Sequence, residues 1–209
     1  MEPSNVIQLM DIEIIPELAQ PLGPSSEPRV YRLDIKHNTN TALPKSVIVK
    51  LEKDNDPEAF QREIQAYKNL QSLQGTVIPT VLGQGLFRGH RALFLSDVDG
   101  STLYEAAQAD IDEKSIERHL EKALYALWKF NADYHDENPS NFLVCDDHIV
   151  ILDLEEVKFP IKSPCWKRSV NFGNVGYLSS RYKYMKNPGR PRSPVEYSKI
   201  YLNRTCCST

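Results

Sequence analysis

Two short apolar runs, F-L-V at 142–144 and I-V-I-L at 149–152, are joined by Cys145-Asp146-Asp147-His148 and bracketed by Asn141 and Asp153. Apolar runs of this length around a polar, acid-rich turn read as a buried β-hairpin. Antiparallel pairing brings the start of the first strand and the end of the second to one end of the hairpin, so Asn141 and Asp153 are expected to lie together. Asp136, in the irregular polar loop 132–140, leads into that same end. Two oxygen-bearing side chains there form a donor set suited to a hard cation such as Mg2+.

The chain before this hairpin alternates between two periodicities. Residues 29–35 (R-V-Y-R-L-D-I) alternate as a strand does, and 46–51 (S-V-I-V-K-L) form a second β-branched run after the polar turn 36–45, which together read as a hairpin. Over 57–73, Phe60, Ile64, Tyr67, Leu70 and Leu73 recur at helical spacing, so one helix with a buried stripe is expected, stopped by Gly75. Short strands are expected at 77–82, 85–87 and 91–95. The last leads through Ser96, Asp97 and Val98 to a helix from about Ser101, capped by Asp99 or Ser101. A long amphipathic helix at about 112–131 has Ile116, Leu120, Leu124, Leu127 and Trp128 on its buried face. Strands, one helix, more strands, then helices and a hairpin make an α+β pattern.

A chain of 209 residues predicts one folding unit, and its 41% apolar and 25% charged residues are those of an ordinary soluble protein. No apolar run nears the roughly 20 residues that span a bilayer, so no membrane partner is expected. The first 20 residues carry Glu2, Asp11, Glu13 and Glu17 and no basic residue, unlike a secretory or transit leader, and cytoplasm or nucleus is the expected location. Cys145, Cys165, Cys206 and Cys207 have neither paired C-x-x-C spacing nor a histidine at zinc-ligand distance, and the C-terminal C-C-S-T lacks the aliphatic pair of a prenylation box. Charge is uneven: residues 158–209 hold 11 of the 25 basic residues and one of the 28 acids. This basic end reads as a solvated extension against an acidic body or as a docking strip, and it contains no recognised nucleic-acid motif.

Phosphoryl transfer from ATP needs a cation on the triphosphate, an anion to position that cation, oxygen ligands for Mg2+ and a carboxylate beside the attacking hydroxyl. Lys50 lies inside the strand pattern V-I-V-K, Glu63 lies mid-helix thirteen residues later, and Asp136, Asn141 and Asp153 follow in order. Taken singly, Lys50 reads rather as an edge-strand lysine in water and Glu63 as a surface helix glutamate.

In this order the residues resemble the protein-kinase-like superfamily, which includes protein kinases and small-molecule kinases of the choline and aminoglycoside type. The resemblance runs from about residue 29 to 181. It implies a bilobal fold, with an N-lobe antiparallel sheet plus one helix and a short helical C-lobe. The corresponding divisions are an N-terminal extension with a degenerate phosphate-loop region at 1–28, the N-lobe at 29–97, the C-lobe at 98–181 and a basic tail at 182–209. It further implies that Lys50 holds the α/β phosphates of ATP with Glu63 as its partner, and that the backbone of Ser96, Asp97 and Val98 holds adenine. Asp136 would act on the acceptor hydroxyl, and Asn141 and Asp153 would bind Mg2+. The acceptor would be a hydroxyl of a protein or a small molecule. The segment G-N-V-G-Y-L-S-S-R at 173–181 is similar to the segment that closes a protein kinase activation loop.

Several positions depart from the pattern. No G-x-G-x-x-G precedes Lys50, and the nearest stretch, L-G-P-S-S at 22–26, gives few backbone amides for phosphate. Tyr134 and His135 stand where the catalytic loop carries His and Arg, Asp153 opens D-L-E rather than D-F-G, and Arg181 replaces a glutamate. These departures keep open a pseudokinase that binds nucleotide or protein without turnover, and an unrelated α+β domain whose acids decorate its surface.

Overall fold

A computed structural model describes residues 7–9, 12–14, 16–23, 28–35, 44–53 and 55–189. The fold is α+β. Its larger layer is a seven-stranded antiparallel sheet built from β1 (Ile7–Leu9), β2 (Ile12–Ile14), β3 (Pro16–Pro21), β4 (Val30–Ile35), β5 (Ser46–Leu51), β6 (Val81–Phe87) and β7 (His90–Ser96), in the order β2-β1-β6-β7-β5-β4-β3. The expected hairpin of β4 and β5 is present, with Val30 opposite Lys50 and Leu33 opposite Val47. Residues 7–21, expected as an extension, instead supply three strands: β1 pairs with β6, and β3 pairs with β4. Short strands interrupted by prolines carry too weak a periodicity to be read locally.

Strand alternation divides the sheet into two faces. Val47, Val49 and Leu51 of β5 join Tyr31, Leu33, Phe87, Ala92 and Phe94 in one apolar cluster. The alternate residues, Ile48 on β5 and Leu93 and Leu95 on β7, pack into a second and larger core with the helices. Lys50 shares the parity of Ile48, so the two-residue repeat turns its side chain toward the helical side. β5 lies between β4 and β7, so Lys50 is on an interior strand and not on an edge.

Helix α1 (Pro57–Asn69) starts at Asp56, whose Oδ1 accepts from the Ala59 amide at 2.9 Å, with Pro57 in the first turn where a missing N–H costs nothing. It ends earlier than the expected 57–73, its last residues forming a 3₁₀ turn at Gln71–Leu73. The two strands expected at 77–82 and 85–87 are one, β6, with a register shift between Val81 and Gly83. Residues 77–80 are irregular but tied down: Thr80 exchanges main-chain and side-chain bonds with Ser96, and the Ile151 amide donates to Val77 O at 2.8 Å.

The helix expected from about Ser101 begins two residues later. Ser101 and Thr102 form a short strand, β8, and Thr102 caps α2 (Leu103–Gln108) in a capping box with Glu105, replacing the expected caps Asp99 and Ser101. The T-x-x-E spacing carries that signal. Helix α3 (Glu113–Lys129) is capped by Asp112 and buries Ile116, Leu120, Leu124 and Leu127 as expected, while Trp128 is only half-buried, stacking on Tyr125 and meeting Trp166 at a tilt. After β9 (Asp133–Tyr134), the expected hairpin is formed by β10 (Phe142–Val144) and β11 (Ile149–Ile151), with β8 added to its edge. Val157 and Lys158 (β12) pair with β9.

The segment at 173–181, expected as a loop, lies inside α4 (Val170–Lys186). Its buried face mixes Val175, Leu178 and Tyr182 with Asn171, Asn174 and Ser179, so the apolar stripe is diluted, and Gly173 and Gly176 lower local helix propensity by about 1 kcal/mol each. Packing against α2 and α3 overrides that preference. The boundary expected at 181/182 therefore falls within a helix. Among the described residues no helix is long and apolar enough to cross a membrane. The expected phosphate-loop residues 24–26, the tail beyond 189, Cys206 and Cys207 lie outside the described residues.

Candidate active site

Lys50 and Glu63 face each other because β5 turns Lys50 toward the helices and α1 packs its stripe of Ala59, Phe60, Ile64 and Tyr67 back onto the sheet. Glu63 is on that stripe and is fully buried. Its Oε2 lies 2.8 Å from Lys50 Nζ, and its Oε1 accepts from the Leu154 amide at 3.4 Å. The β10–β11 hairpin then delivers Asp153 to the same ammonium: Lys50 Nζ donates to Asp153 Oδ1 at 2.9 Å. Glu155 completes the cluster, with Oε1 3.0 Å from Lys50 Nζ and Oε2 2.5 Å from Lys53 Nζ.

One buried ammonium thus faces three carboxylates, and their protonation follows from that imbalance. Burial drives the Glu63 pKa up to about 7, an effect that Lys50 opposes and the charges of Asp153 and Glu155 reinforce. Burial also works to raise the pKa of Asp153, but Lys50 outweighs it and holds the carboxyl below its ordinary range. For Lys50, burial disfavours the charged form, yet Glu63, Asp153 and Glu155 together hold its pKa above the ordinary lysine value. One oxygen each from Glu63, Asp153 and Glu155 lies within 4.8 Å of the others, a set of hard donors that could hold a metal ion.

Asp136 and Asn141 form the second half of the site. Asp136 Oδ1 accepts from the Asn138 amide at 2.8 Å and Oδ2 accepts from Asn141 Nδ2 at 2.6 Å, an Asx turn closed by a side-chain bond. Asn141 ends the 3₁₀ turn Pro139–Asn141, and its carbonyl accepts from the Leu152 amide at 2.9 Å. The backbone bond to Leu152 places Asn141 opposite the residue before Asp153, so the two halves share the hairpin's end.

The loop carrying Asp136 is held from beneath by two buried asparagines of α4. Asn171 Oδ1 accepts from the Tyr134 amide at 2.8 Å while its Nδ2 donates to Leu124 O and Ala132 O, and Asn174 Nδ2 donates to Tyr134 O at 2.7 Å. Main chain that would otherwise be buried and unpaired is satisfied in this way. Neither asparagine was expected at the site, since residue type alone does not distinguish a buried clamp from a polar loop. Glu155 also escaped the expected set, although its spacing two residues after Asp153 was a usable signal.

Ser96, Asp97 and Val98 lie at the end of β7. The Ser96 amide donates to Thr80 O at 2.8 Å and its Oγ accepts from the Thr80 amide at 2.9 Å. The Asp97 carboxylate pairs with Arg32 at 2.8 Å and accepts from Ser46 Oγ at 2.7 Å, fastening the end of β7 to β4 and β5. Of the expected site residues, then, Lys50, Glu63 and Asp153 converge, Asp136 and Asn141 pair next to them, and Ser96 and Asp97 are engaged in bonds of their own. No protein-family model matches the chain, and no curated protein matches it.

Proposed function

We propose that this chain is an ATP- and Mg2+-dependent phosphotransferase of the protein-kinase-like kind, passing the γ-phosphate to a hydroxyl of a protein or small molecule. The seven-stranded sheet with α1 would form one lobe, and α2 to α4 with the hairpin the other, the nucleotide lying between them. The observation that carries this reading is the convergence on Lys50 of Glu63 and Asp153, from a helix and a hairpin distant in sequence, beside the paired Asp136 and Asn141.

In this reading Glu63 keeps Lys50 aimed at the triphosphate, while Lys50 exchanges Asp153 and Glu155 for phosphate oxygens when the site is loaded. Asp153, Glu155 and the amide oxygen of Asn141 would hold Mg2+, which supplies charge neutralisation on the phosphates when bound. Asp136 would orient the acceptor hydroxyl and take its proton, and its bond from Asn141 fixes the direction of the carboxylate. The pairing of Asp97 with Arg32 steadies the segment 96–98, whose backbone would meet the adenine.

A second reading, a pseudokinase serving as a nucleotide-binding or protein-interaction module, is favoured by a specific feature. Three carboxylate oxygens already surround the Lys50 ammonium at 2.8, 2.9 and 3.0 Å, and the Ser96 amide is spent on Thr80. Melting curves with ATP, Mg2+ and both, followed by radiolabel transfer from γ-labelled ATP to water, to the chain itself and to added proteins, separate the two. Stabilisation by the pair together with label transfer is the expected result. Stabilisation without transfer selects the module, and no stabilisation overturns the phosphotransferase.

A further inference from the structure

The chain's two tryptophans, Trp128 on α3 and Trp166 in the 3₁₀ turn Trp166–Arg168, meet in one aromatic cluster. Tyr125 stacks on Trp128 with ring centres 5.3 Å apart and meets Trp166 edge-on at 5.1 Å, while Trp166 reaches Phe172 of α4 at 5.4 Å. The Trp128 indole N–H donates to Pro164 O at 2.9 Å, which fastens the segment before the turn to the helix. Tyr125 nevertheless stays 40% exposed. Ile161, three residues before Pro164 and so within about 11 Å of it along the chain, is fully exposed. Aromatic rings held in place at a surface, with an aliphatic side chain in water beside them, are the kind of anchor that protein interfaces favour.

Cations frame these rings. On α3, Lys122 and Lys129 stand three residues before and four after Tyr125, hence on its face of the helix, and Lys167 and Arg168 follow Trp166 in its turn. All four are exposed, and none of them is in an ion pair among the described residues. Arg32, Lys53, Arg91 and Lys186, by contrast, each meet a carboxylate. Residues 158–189 hold seven basic side chains and no acid, whereas Glu121, four residues before Tyr125, puts one acid at the rim. We infer that this surface docks an acidic segment of a partner protein, its carboxylates meeting Lys122, Lys129, Lys167 and Arg168 while its apolar side chains pack on Tyr125 and Ile161. A narrow segment can run past Glu121, which a flat anionic membrane would be pressed against. Single-stranded nucleic acid needs an open ring face for each base, and of these three rings only Tyr125 is exposed, the two indoles being half-buried and 5.9 Å from each other. None of these residues belongs to the Lys50 site, so docking and phosphoryl transfer are separately testable.

Because Trp128 and Trp166 are the only tryptophans, the indole emission of the full chain reports on this surface alone. The probes are tryptophan-free dodecapeptides that alternate Asp or Glu with Leu and Phe, the same peptides with Ser or Lys in place of the acids, phosphatidylserine vesicles and oligo(dT). The acidic peptides are expected to shift the emission saturably, and less strongly as salt rises, while the Ser and Lys peptides leave it unchanged. Lys129→Glu combined with Lys167→Glu is expected to weaken the acidic peptides by about tenfold or more. Both side chains are exposed, so the melting temperature should hold, and Lys129→Gln with Lys167→Gln should fall between parent and reversal. No shift with any acidic peptide, an equal shift with the Ser peptides, or equal affinity in the reversal variant would overturn the docking surface. Tighter binding of the vesicles or of oligo(dT) than of the acidic peptides would overturn it as well, in favour of a lipid or nucleic-acid ligand.

Discussion

Lys50 Nζ and Asp153 Oδ1, 103 positions apart in the chain, meet at 2.9 Å. Their contact ties an interior strand of the sheet to the end of the β10–β11 hairpin, and Glu63 holds the same ammonium from the helix between them. Breaking a buried ion pair by removing one partner strands the other charge, which usually costs more than the pair itself contributes.

Lys50→Met is accordingly expected to destabilise the fold by about 3 kcal/mol, because it leaves Glu63 buried without its counter-ion. Adding Glu63→Gln should recover part of that loss. Urea unfolding of the two single variants and the double gives the coupling directly. Strict additivity would mean that the two side chains do not interact.

The raised pKa of Glu63 makes stability depend on pH with a defined sign. The native carboxyl titrates near 7 against an ordinary value of 4.5, so between these values the folded chain binds more protons than the unfolded one. Its contribution therefore increases as pH falls from about 7 to about 4.5 and is lost as pH rises through the native value. His119, held below its ordinary 6.5 first by burial and then by Arg118 and Lys122, works the other way in part of this window. Asp153, lying below 3.8, contributes above its ordinary value and loses its contribution only as pH falls through the lower native one. The difference in stability between the parent and Glu63→Gln isolates Glu63. A difference that stays flat from pH 5 to pH 8 would contradict the assignment.

Asn171→Ala removes three buried hydrogen bonds at once and leaves the Tyr134 amide and the carbonyls of Leu124 and Ala132 short of partners. A loss of about 3 kcal/mol in guanidinium unfolding is expected. Hydrogen exchange at the Tyr134 amide should accelerate beyond what the global loss accounts for, since the loop opens locally. Unchanged protection there would show that the clamp does not hold the loop.

Under the phosphotransferase reading, Asp136→Asn should lower turnover by about 10²- to 10⁴-fold while the melting temperature hardly moves. Asp136 is half-buried, and an amide in its place can still accept from the Asn138 amide. Steady-state kinetics beside a melting curve checks both halves of this expectation. Retained turnover would dismiss the proposed proton transfer.

Much of the architecture was legible where periodicity is strong. The V-I-V-K strand, the helix carrying Glu63, the helix after Asp112 and the β10–β11 hairpin each show a clean two-residue or helical repeat, and each is present. Helix α4 was not legible, because asparagines, serine and glycines interrupt its buried face, and their burial makes sense only once Tyr134 and Leu124 are seen as their partners. The T-x-x-E that makes Thr102 a cap and the two-residue step from Asp153 to Glu155 are both visible in the sequence, but neither carries an apolar repeat to mark its surroundings as buried.

An apolar repeat reports which side of an element shuns water, and the chain alone therefore shows that the elements carrying Lys50, Glu63, Asn141 and Asp153 follow in that order, each with an apolar face, while leaving open whether Lys50 and Glu63 point to water. It does not report what each face packs against. That a single ammonium gathers Glu63, Asp153 and Glu155, that Ser96 spends its amide on Thr80, and that Asn171 and Asn174 clamp the Tyr134 backbone are outcomes of packing. Contacts between residues so distant in sequence depend on the joint docking of sheet, helices and hairpin, which no local pattern encodes.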